Sequence, residues 1–433
     1  MSLPSGRESL RSIQLERLNS LISEILPSNR FYTAKLGRAG INGPVESLDE
    51  FQNKSPFTTK EELVNDQTEN PPYGTNLTYP LERYTRFSQT SATTGSPLRW
   101  LDSSESWDWM LGNWKRVYEA AGMTNKDRIF FAFSFGPFLG FWTAFESAAG
   151  LLGCLCLPGG GMSSNARLQS ILDNSVTVLC CTPTYAIRLA QVAEDEGIDL
   201  SESQVRRVIV AGEPGGSISA TRATIEGYWR GARVFDHHGM TEVGPVSYES
   251  SNHPGVLHVI EESYFAEVVD PDSGEPVQEG ETGELVLTTL GREGSPLLRY
   301  RTGDLVRPDW NGADNYGDIN LALVGGILGR SDDMVVVRGV NLFPSAVEDT
   351  IRSCGGVAEY RVTTYLEKGM TELLVEVEPT HADSGVVDRV CNAFRTAFNL
   401  RIPVKAVPAG SLPRFEMKAK RWQTKPGGGS SAI

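Results

Sequence analysis

The chain has 433 residues, of which 40% are hydrophobic and 22% charged, a composition that excludes disorder and fits a globular protein of about two to three domains. A net charge of −14 argues against nucleic acid as a partner. The opening MSLPSGRESLRSIQLERL has no signal-type apolar core, and the most apolar segment, Ile129 to Leu157, is broken by Ser134, Gly136, Pro137 and Glu146, so a buried strand and helix are expected there rather than a membrane span.

Leu10, Ile13, Leu15, Leu18, Leu21, Ile22 and Ile25 recur at helical spacing and predict a first helix. TKEELVND begins a second, with Thr59 as its N-cap and acids in the first turn. From 105 to 215, helical and strand patterns alternate: helix WDWMLGNWKRVYEAAG, strand DRIFFAFS, helix FWTAFESAAGLLG, strand VTVLCCT, helix TYAIRLAQVAEDEG, strand RRVIVAG. That alternation predicts a layered α/β domain. From 255 to 310 short strands with turns replace it (FAEVVDPDSGEPV, GELVLTTL, LRYRTGDLV), a β-rich subdomain. Beyond GRSDD, helix SAVEDTIRSC, strands AEYRVTTYL and TELLVEVEP, helix GVVDRVCNAFRTAF and strand IPVKAVPA predict a separate small α+β domain. The cysteines at 154, 156, 180, 181, 354 and 391 have neither zinc-knuckle nor thioredoxin spacing, so reduced thiols in a cytoplasmic protein are expected.

Five stretches carry polar residues of the kind that handle phosphates and sugars. FSQTSATTGSPLRW crowds hydroxyls around Gly95; taken alone it reads equally as a linker or a phosphate loop, and it lacks the G-K-[ST] of a Walker A motif. FDHHGMTEVGP sets Thr241 beside Glu242, a hydroxyl and a carboxylate suited to a phosphate and its Mg²⁺, or else a polar helix cap. LLRYRTGDL places Asp304 after a glycine, to accept from sugar hydroxyls or simply to make a β-turn. In GRSDDMVVVRGVNLFPSAVED, Arg330 would reach ribose or phosphates, and Asp332 and Asp333 fall at the compositional break. LPRFEMKAKRW is basic, and Lys418 with Lys420 reads alternatively as a solvated pair.

Taken together and in this order, the five resemble the adenylate-forming superfamily, and within it the phenylacetate–CoA ligase-like family. Residues 90–97 resemble the family's T-S-G-T-T-G-x-P loop, with Ala92 at a usual Gly; AGEPGG resembles its adenine-binding turn; DHHGMTE resembles D-x-Y-G-x-[ST]-E, with His238 at the usual Tyr. YRTGD and GRSDDM match the ribose and hinge motifs, and LPRFEMKAKRW resembles P-R-x-x-G-K-A-x-R, with Met417 at the usual Gly, which selects Lys418 over Lys420.

The resemblance implies ATP-dependent activation of a carboxylic acid to an acyl-adenylate, with release of pyrophosphate, then transfer to an acceptor thiol, CoA. It implies a domain of residues 1–329 that binds ATP and acid, and a mobile domain of 330–433 that carries the catalytic lysine and turns about Asp332. Thr90, Ser91, Thr93, Thr94 and Gly95 would hold the outer phosphates, Thr241 the α-phosphate, and Glu242 the Mg²⁺. Gly212, Glu213, Pro214 and Asp236 would line the adenine, with His237, His238, Gly239 and Met240 in the adjoining motif and the His238 imidazole stacking on the base. Asp304 and Arg330 would fix the ribose, and Lys418 would bridge carboxylate and α-phosphate. Phe133, Phe135, Phe138 and Phe141, with Gly136 allowing close approach, suit a flat aryl acid better than a fatty acid, although a share of them would be plain core. The structural zinc of some relatives is not expected, because their Cys positions read Ser250, Asp314 and Tyr316 and only His258 remains. A homodimer is compatible with the resemblance. The rival readings are transfer of the adenylate to an amine, hydroxyl or carrier protein, and a catalytically silent nucleotide-binding protein.

Overall fold

The structure, a computed structural model, describes residues 6–90, 97–338, 340–367, 370–380, 385–415 and 419–425. Its centre is a five-stranded parallel sheet in the order Leu155–Pro158, Arg128–Phe131, Val178–Cys181, Arg207–Val210, Arg233–Asp236. Short runs of apolar residues make the three inner strands because both of their faces are covered, whereas the edge strand Leu155–Pro158 leaves Leu155 exposed. The adjacent cysteines show it: successive side chains leave a strand on opposite faces. Cys180 enters one core with Ile129, Phe131 and Ile209, while Cys181 enters another with Phe130, Val208 and Val210. Trp114, Val117 and Tyr118 of the helix Ser104–Ala120 belong to the first core, and Tyr185, Ala186 and Leu189 of the helix Pro183–Asp195 belong to the second.

The expected helix over FWTAFESAAGLLG spans Leu139–Ser147 and widens into a π-turn, Ala148–Leu152, before Gly153 leaves it at φ 76°. The first helix, Arg7–Ile25, lays Leu18, Leu21, Ile22 and Ile25 against Phe265, Leu290 and Leu298 of the β-rich region. Thr59 caps the helix Lys60–Glu69 in a capping box closed by Glu62.

The β-rich region consists of two four-stranded antiparallel sheets. One orders Tyr264–Val269, Gly283–Thr289, Tyr300–Val306 and Gly329–Arg330, and the other contains Ser247–Glu249, Val256–Val259, Ala322–Val324 and Pro308–Asp309. The small C-terminal α+β domain has its own sheet, in the order Val404–Ala406, Met370–Pro379, Val357–Glu367, Trp422–Thr424. Its core, built from Val347, Ile351, Tyr360, Val362, Val375, Val390 and Phe394 among others, is separate from the two cores of the large sheet.

Candidate active site

Ligands of open α/β sheets bind beyond the carboxyl ends of the strands. Asp236, the last residue of the edge strand Arg233–Asp236, stands at that end. It accepts from Ser217 Oγ at 2.6 Å, and burial pushes its carboxyl up from the ordinary range. The AGEPGG turn lies against it so closely that a Cβ on Gly216 would meet Asp236 Cγ at 2.4 Å.

The next residues alternate. His237 turns into the core: its ring packs 4.2 Å from that of Trp114, and its Nδ1 pairs with the Ser247 carbonyl at 2.6 Å. Burial holds its pKa down to about 3, so the ring is neutral. The His237 side chain is thus part of the core. Neighbouring side chains in extended backbone point opposite ways, and His238 takes the open side. His238 Nε2 pairs with Asp304 Oδ2 at 2.9 Å, an edge contact to the expected ribose carboxylate rather than a ring standing free. Gly239–Met240 then pairs with Gly244–Pro245 in a tight ladder, where a Cβ on Gly239 would meet the Gly244 carbonyl oxygen at 2.9 Å. Thr241 and Glu242 sit at its tip; Glu242 is buried, with Lys60 Nζ 3.6 Å from its Oε1.

Asp304 is shared. Its Oδ1 also faces Arg330 Nη1 at 3.2 Å, and Arg330 Nε reaches Asp332 Oδ1 at 2.9 Å. Burial works against the Arg330 charge, but Asp304 and Asp332 together hold its pKa above the ordinary value. The strands pair so that Asp304 lies opposite Arg330, and Gly303, at φ 77°, leaves the room the guanidinium occupies. The expected ribose pair and hinge residue therefore form one cluster, Asp304–Arg330–Asp332.

Of the expected phosphate loop, Ser91, Thr93, Thr94 and Gly95 lie outside the described residues, as does Lys418. Thr90 forms the loop's neck: its N–H donates to the Leu98 carbonyl at 2.9 Å and its Oγ1 accepts from Leu98 N–H at 3.0 Å. The neck continues as the antiparallel pair Tyr84–Gln89 and Arg99–Ser103.

The phenylalanines after Arg128–Phe131 form an aromatic cluster. Phe133 stacks on Phe141 with centroids 4.3 Å apart and planes at 12°, and Phe138 meets Phe141 edge-on. Phe135 meets Trp142 edge-on at 5.0 Å, and Trp142 Nε1 donates to the Gly136 carbonyl at 2.9 Å. Phe133 is buried in the core, and the partly buried Phe135 and Phe141 pack against that core.

Glu213 does more than line a turn. Its Oε1 accepts from Thr184 N–H at 2.9 Å and its Oε2 from Ala419 N–H at 2.8 Å. Arg421 Nη1 donates to Thr184 Oγ1 at 3.3 Å, while Glu359 and Glu348 of the C-terminal domain hold the same guanidinium. Sequence reasoning missed Lys60, Asp102, Thr184, Arg292 and Arg421. Only Arg421 had a signal, the last position of the P-R-x-x-G-K-A-x-R resemblance; the others sit in no motif.

The site fits magnesium in one way. Among the described residues no group of three or more His, Cys, Asp or Glu could hold a metal by itself. Glu242 supplies one buried carboxylate, and Mg²⁺ commonly takes one or two together with substrate phosphates. His258 is packed between Tyr248 and Tyr316, with Asp318 Oδ2 4.0 Å from its Nδ1.

Comparison with known proteins agrees with this geometry. Residues 87–291 match the AMP-binding enzyme family, and 339–424 match the AMP-binding enzyme C-terminal domain. The chain is 30% identical over 423 residues to phenylacetate–coenzyme A ligase of Pseudomonas putida, covering 95% of this chain and 93% of that protein. It is also 30% identical over 427 residues to the Escherichia coli enzyme of that name, covering 96% and 94%. It overlays a 2-hydroxyisobutyryl-CoA ligase in the postadenylation state, in complex with 2-HIB-AMP, with TM-score 0.90 at 26% identity, covering 98% and 91%. With the same ligase in the thioesterification state, in complex with 2-HIB-AMP and CoA, the TM-score is 0.72 at 27% identity, covering 97% and 91%.

The chain has the fold of the adenylate-forming enzymes and is an AMP-forming acid–thiol ligase that activates a carboxylic acid with ATP and passes it to CoA. Within that class the chain belongs to the phenylacetate–CoA ligase family.

Proposed function

We propose that the acid is an aryl acid of benzoate or phenylacetate size. The observation that carries this is the Phe133–Phe141 stack with Phe138 on its edge, a flat apolar wall beside the nucleotide end of the sheet.

Both reactants are anionic, so the residues must offset charge and align carboxylate oxygen with the α-phosphorus. The carboxylate is already ionised and needs no general base. In this reading Asp304 accepts from the ribose hydroxyls, and His238 and Arg330 fix that carboxylate from two sides. Thr241 offers its hydroxyl to the α-phosphate. Glu242 would hold magnesium arriving with ATP, an ion that offsets phosphate charge. Lys418 brings a point charge between carboxylate and phosphate. Ser91, Thr93, Thr94 and Gly95 would face the outer phosphates, and Gly212, Pro214 and Asp236 the base.

We also propose a mobile domain from 330 with Asp332 as the hinge, the strand Gly329–Arg330 at its root staying paired with Tyr300–Val306 of the large domain. It is supported by the separate core beyond that point and by the two TM-scores against one ligase in two states. The cytoplasm is the compartment proposed, supported by six free cysteines.

A second reading has one observation in its favour. The ligase overlaying at 0.90 carries a small branched hydroxy acid as its adenylate. Acid-dependent ATP–pyrophosphate exchange with phenylacetate, benzoate, 2-hydroxyisobutyrate and octanoate decides. The proposal expects the two aryl acids to lead. A lead for 2-hydroxyisobutyrate favours the second reading, and a lead for octanoate removes both.

A further inference from the structure

Arg292 is completely buried, beyond the strand Gly283–Thr289, and it joins two parts of the site that the sequence keeps far apart. Its Nε and Nη2 donate to Asp102 Oδ1 and Oδ2, each at 2.7 Å. Its remaining nitrogen, Nη1, donates to the backbone carbonyls of Thr241 at 2.8 Å and Glu242 at 2.7 Å. Trp100 lies across the guanidinium, 5.0 Å from ring centroid to Cζ. Trp100 and Asp102 belong to Arg99–Ser103, the strand that follows the 90–97 loop.

Stability alone is a weak reason for such a pair. Desolvating two charges costs about as much as their attraction returns, and apolar residues of similar volume commonly do as well. What an apolar pair does not do is point. A guanidinium is a planar fork: one edge, Nε–H with Nη2–H, matches a carboxylate, and the remaining Nη1 hydrogens fix the direction of further acceptors. Here those acceptors are the two peptide carbonyls at Thr241 and Glu242. Holding both fixes the peptide planes from which the hydroxyl and the carboxylate project.

We propose that Asp102 and Arg292 are positioning residues for nucleotide binding. They hold the Thr241–Glu242 tip at one separation from the strand Arg99–Ser103, so that the Thr241 hydroxyl and the Glu242 carboxylate meet the phosphates and magnesium of MgATP as a preorganised pair. This rests on the reading of Thr241 and Glu242 as phosphate and magnesium contacts. A lysine at 292 would keep a charge but lose the fork.

The test is calorimetric titration with MgATP and, separately, with adenosine, which lacks the phosphates. The variants are Arg292→Lys and the double variant Asp102→Leu/Arg292→Met, which leaves no unpaired buried charge. Partners standing behind contact residues typically change affinity by about 10–100-fold. The expected result is MgATP affinity weakened by about that factor in both variants, adenosine affinity within about twofold of wild type, and a cooperative thermal transition retained. Unchanged MgATP affinity, or equal weakening toward both ligands, overturns the proposal. Failure of the wild-type protein to bind MgATP overturns the underlying reading with it. If the double variant does not fold, Arg292→Lys decides on the same two titrations.

Discussion

The backbone N–H of Ala419 donates to Glu213 Oε2 at 2.8 Å, which ties the residue after Lys418 to the AGEPGG turn of the large domain. Arg421, two positions on, reaches Thr184 across the same boundary. In this pose the C-terminal segment is docked on the site, in keeping with the closer overlay on the postadenylation state than on the thioesterification state of the related ligase. Glu213 is thus a latch between the domains as well as part of the turn.

The lysine beside that latch should serve only the first half-reaction. Removing one preorganised electrostatic contact typically costs about 10²–10³ in rate. Lys418→Ala is expected to slow adenylate formation by at least that factor while consuming supplied acyl-adenylate and CoA at close to the wild-type rate. Single-turnover assays of each half-reaction check this. Equal loss in both would make Lys418 a fixed residue of a static site, and a larger loss from Lys420→Ala would shift the motif by two positions.

The hinge makes the opposite prediction. Asp332 pairs with Arg330 and is the proposed hinge. Asp332→Pro, which removes backbone freedom, should keep adenylation and lose transfer to CoA. Asp332→Ala removes the carboxylate without stiffening the chain and should keep both half-reactions within about tenfold. If the two variants behave alike in transfer, the ion pair and not the hinge explains the loss.

Gly303 tests the ribose cluster. At φ 77° a side chain is strained, and its Cβ would stand 2.7 Å from Arg330 Nη2. Gly303→Ala should push Arg330 away from Asp304 and raise KM for ATP by about tenfold, with KM for the acid unchanged. A rise in both constants would point to a general distortion of the strand Tyr300–Val306.

Beneath the nucleotide end of the sheet, Glu249 Oε2 accepts from Asp236 N–H at 2.9 Å and pairs with Arg222. Burial pushes the Glu249 carboxyl from 4.5 up to about 7, Arg222 pulls it down, and Asp236 adds to the rise. The folded protein therefore keeps a proton that the unfolded chain has lost between those values. The contribution to stability is full below about pH 4.5, falls as pH rises to about 7 and is level beyond, in total about 3 kcal/mol. Glu249→Gln mimics the protonated form. Urea unfolding at several pH values should show its stability relative to wild type improving by up to that amount across the window. Parallel curves would remove the assignment.

Much was legible from local pattern. The capping box at Thr59, the apolar runs of the three inner parallel strands, the change to short antiparallel strands after 255 and the five polar stretches all depend on residues a few positions apart, where propensity and periodicity act, whereas the edge strands Leu155–Pro158 and Arg233–Asp236 had no such signal. Even the adjacent Cys180 and Cys181 follow from period-two alternation once both faces of the strand are covered. What tertiary structure decided are the partnerships across distance. Asp102 and Arg292 are 190 positions apart, and Glu213 and Ala419 are 206 apart. No local spacing encodes such a pair, because the path of the intervening chain brings the groups together and burial then makes their pairing obligatory. The same holds within one motif. Sequence alone placed His237 and His238 side by side in the nucleotide stretch, but packing against Trp114 took one ring into the core and left the other on Asp304.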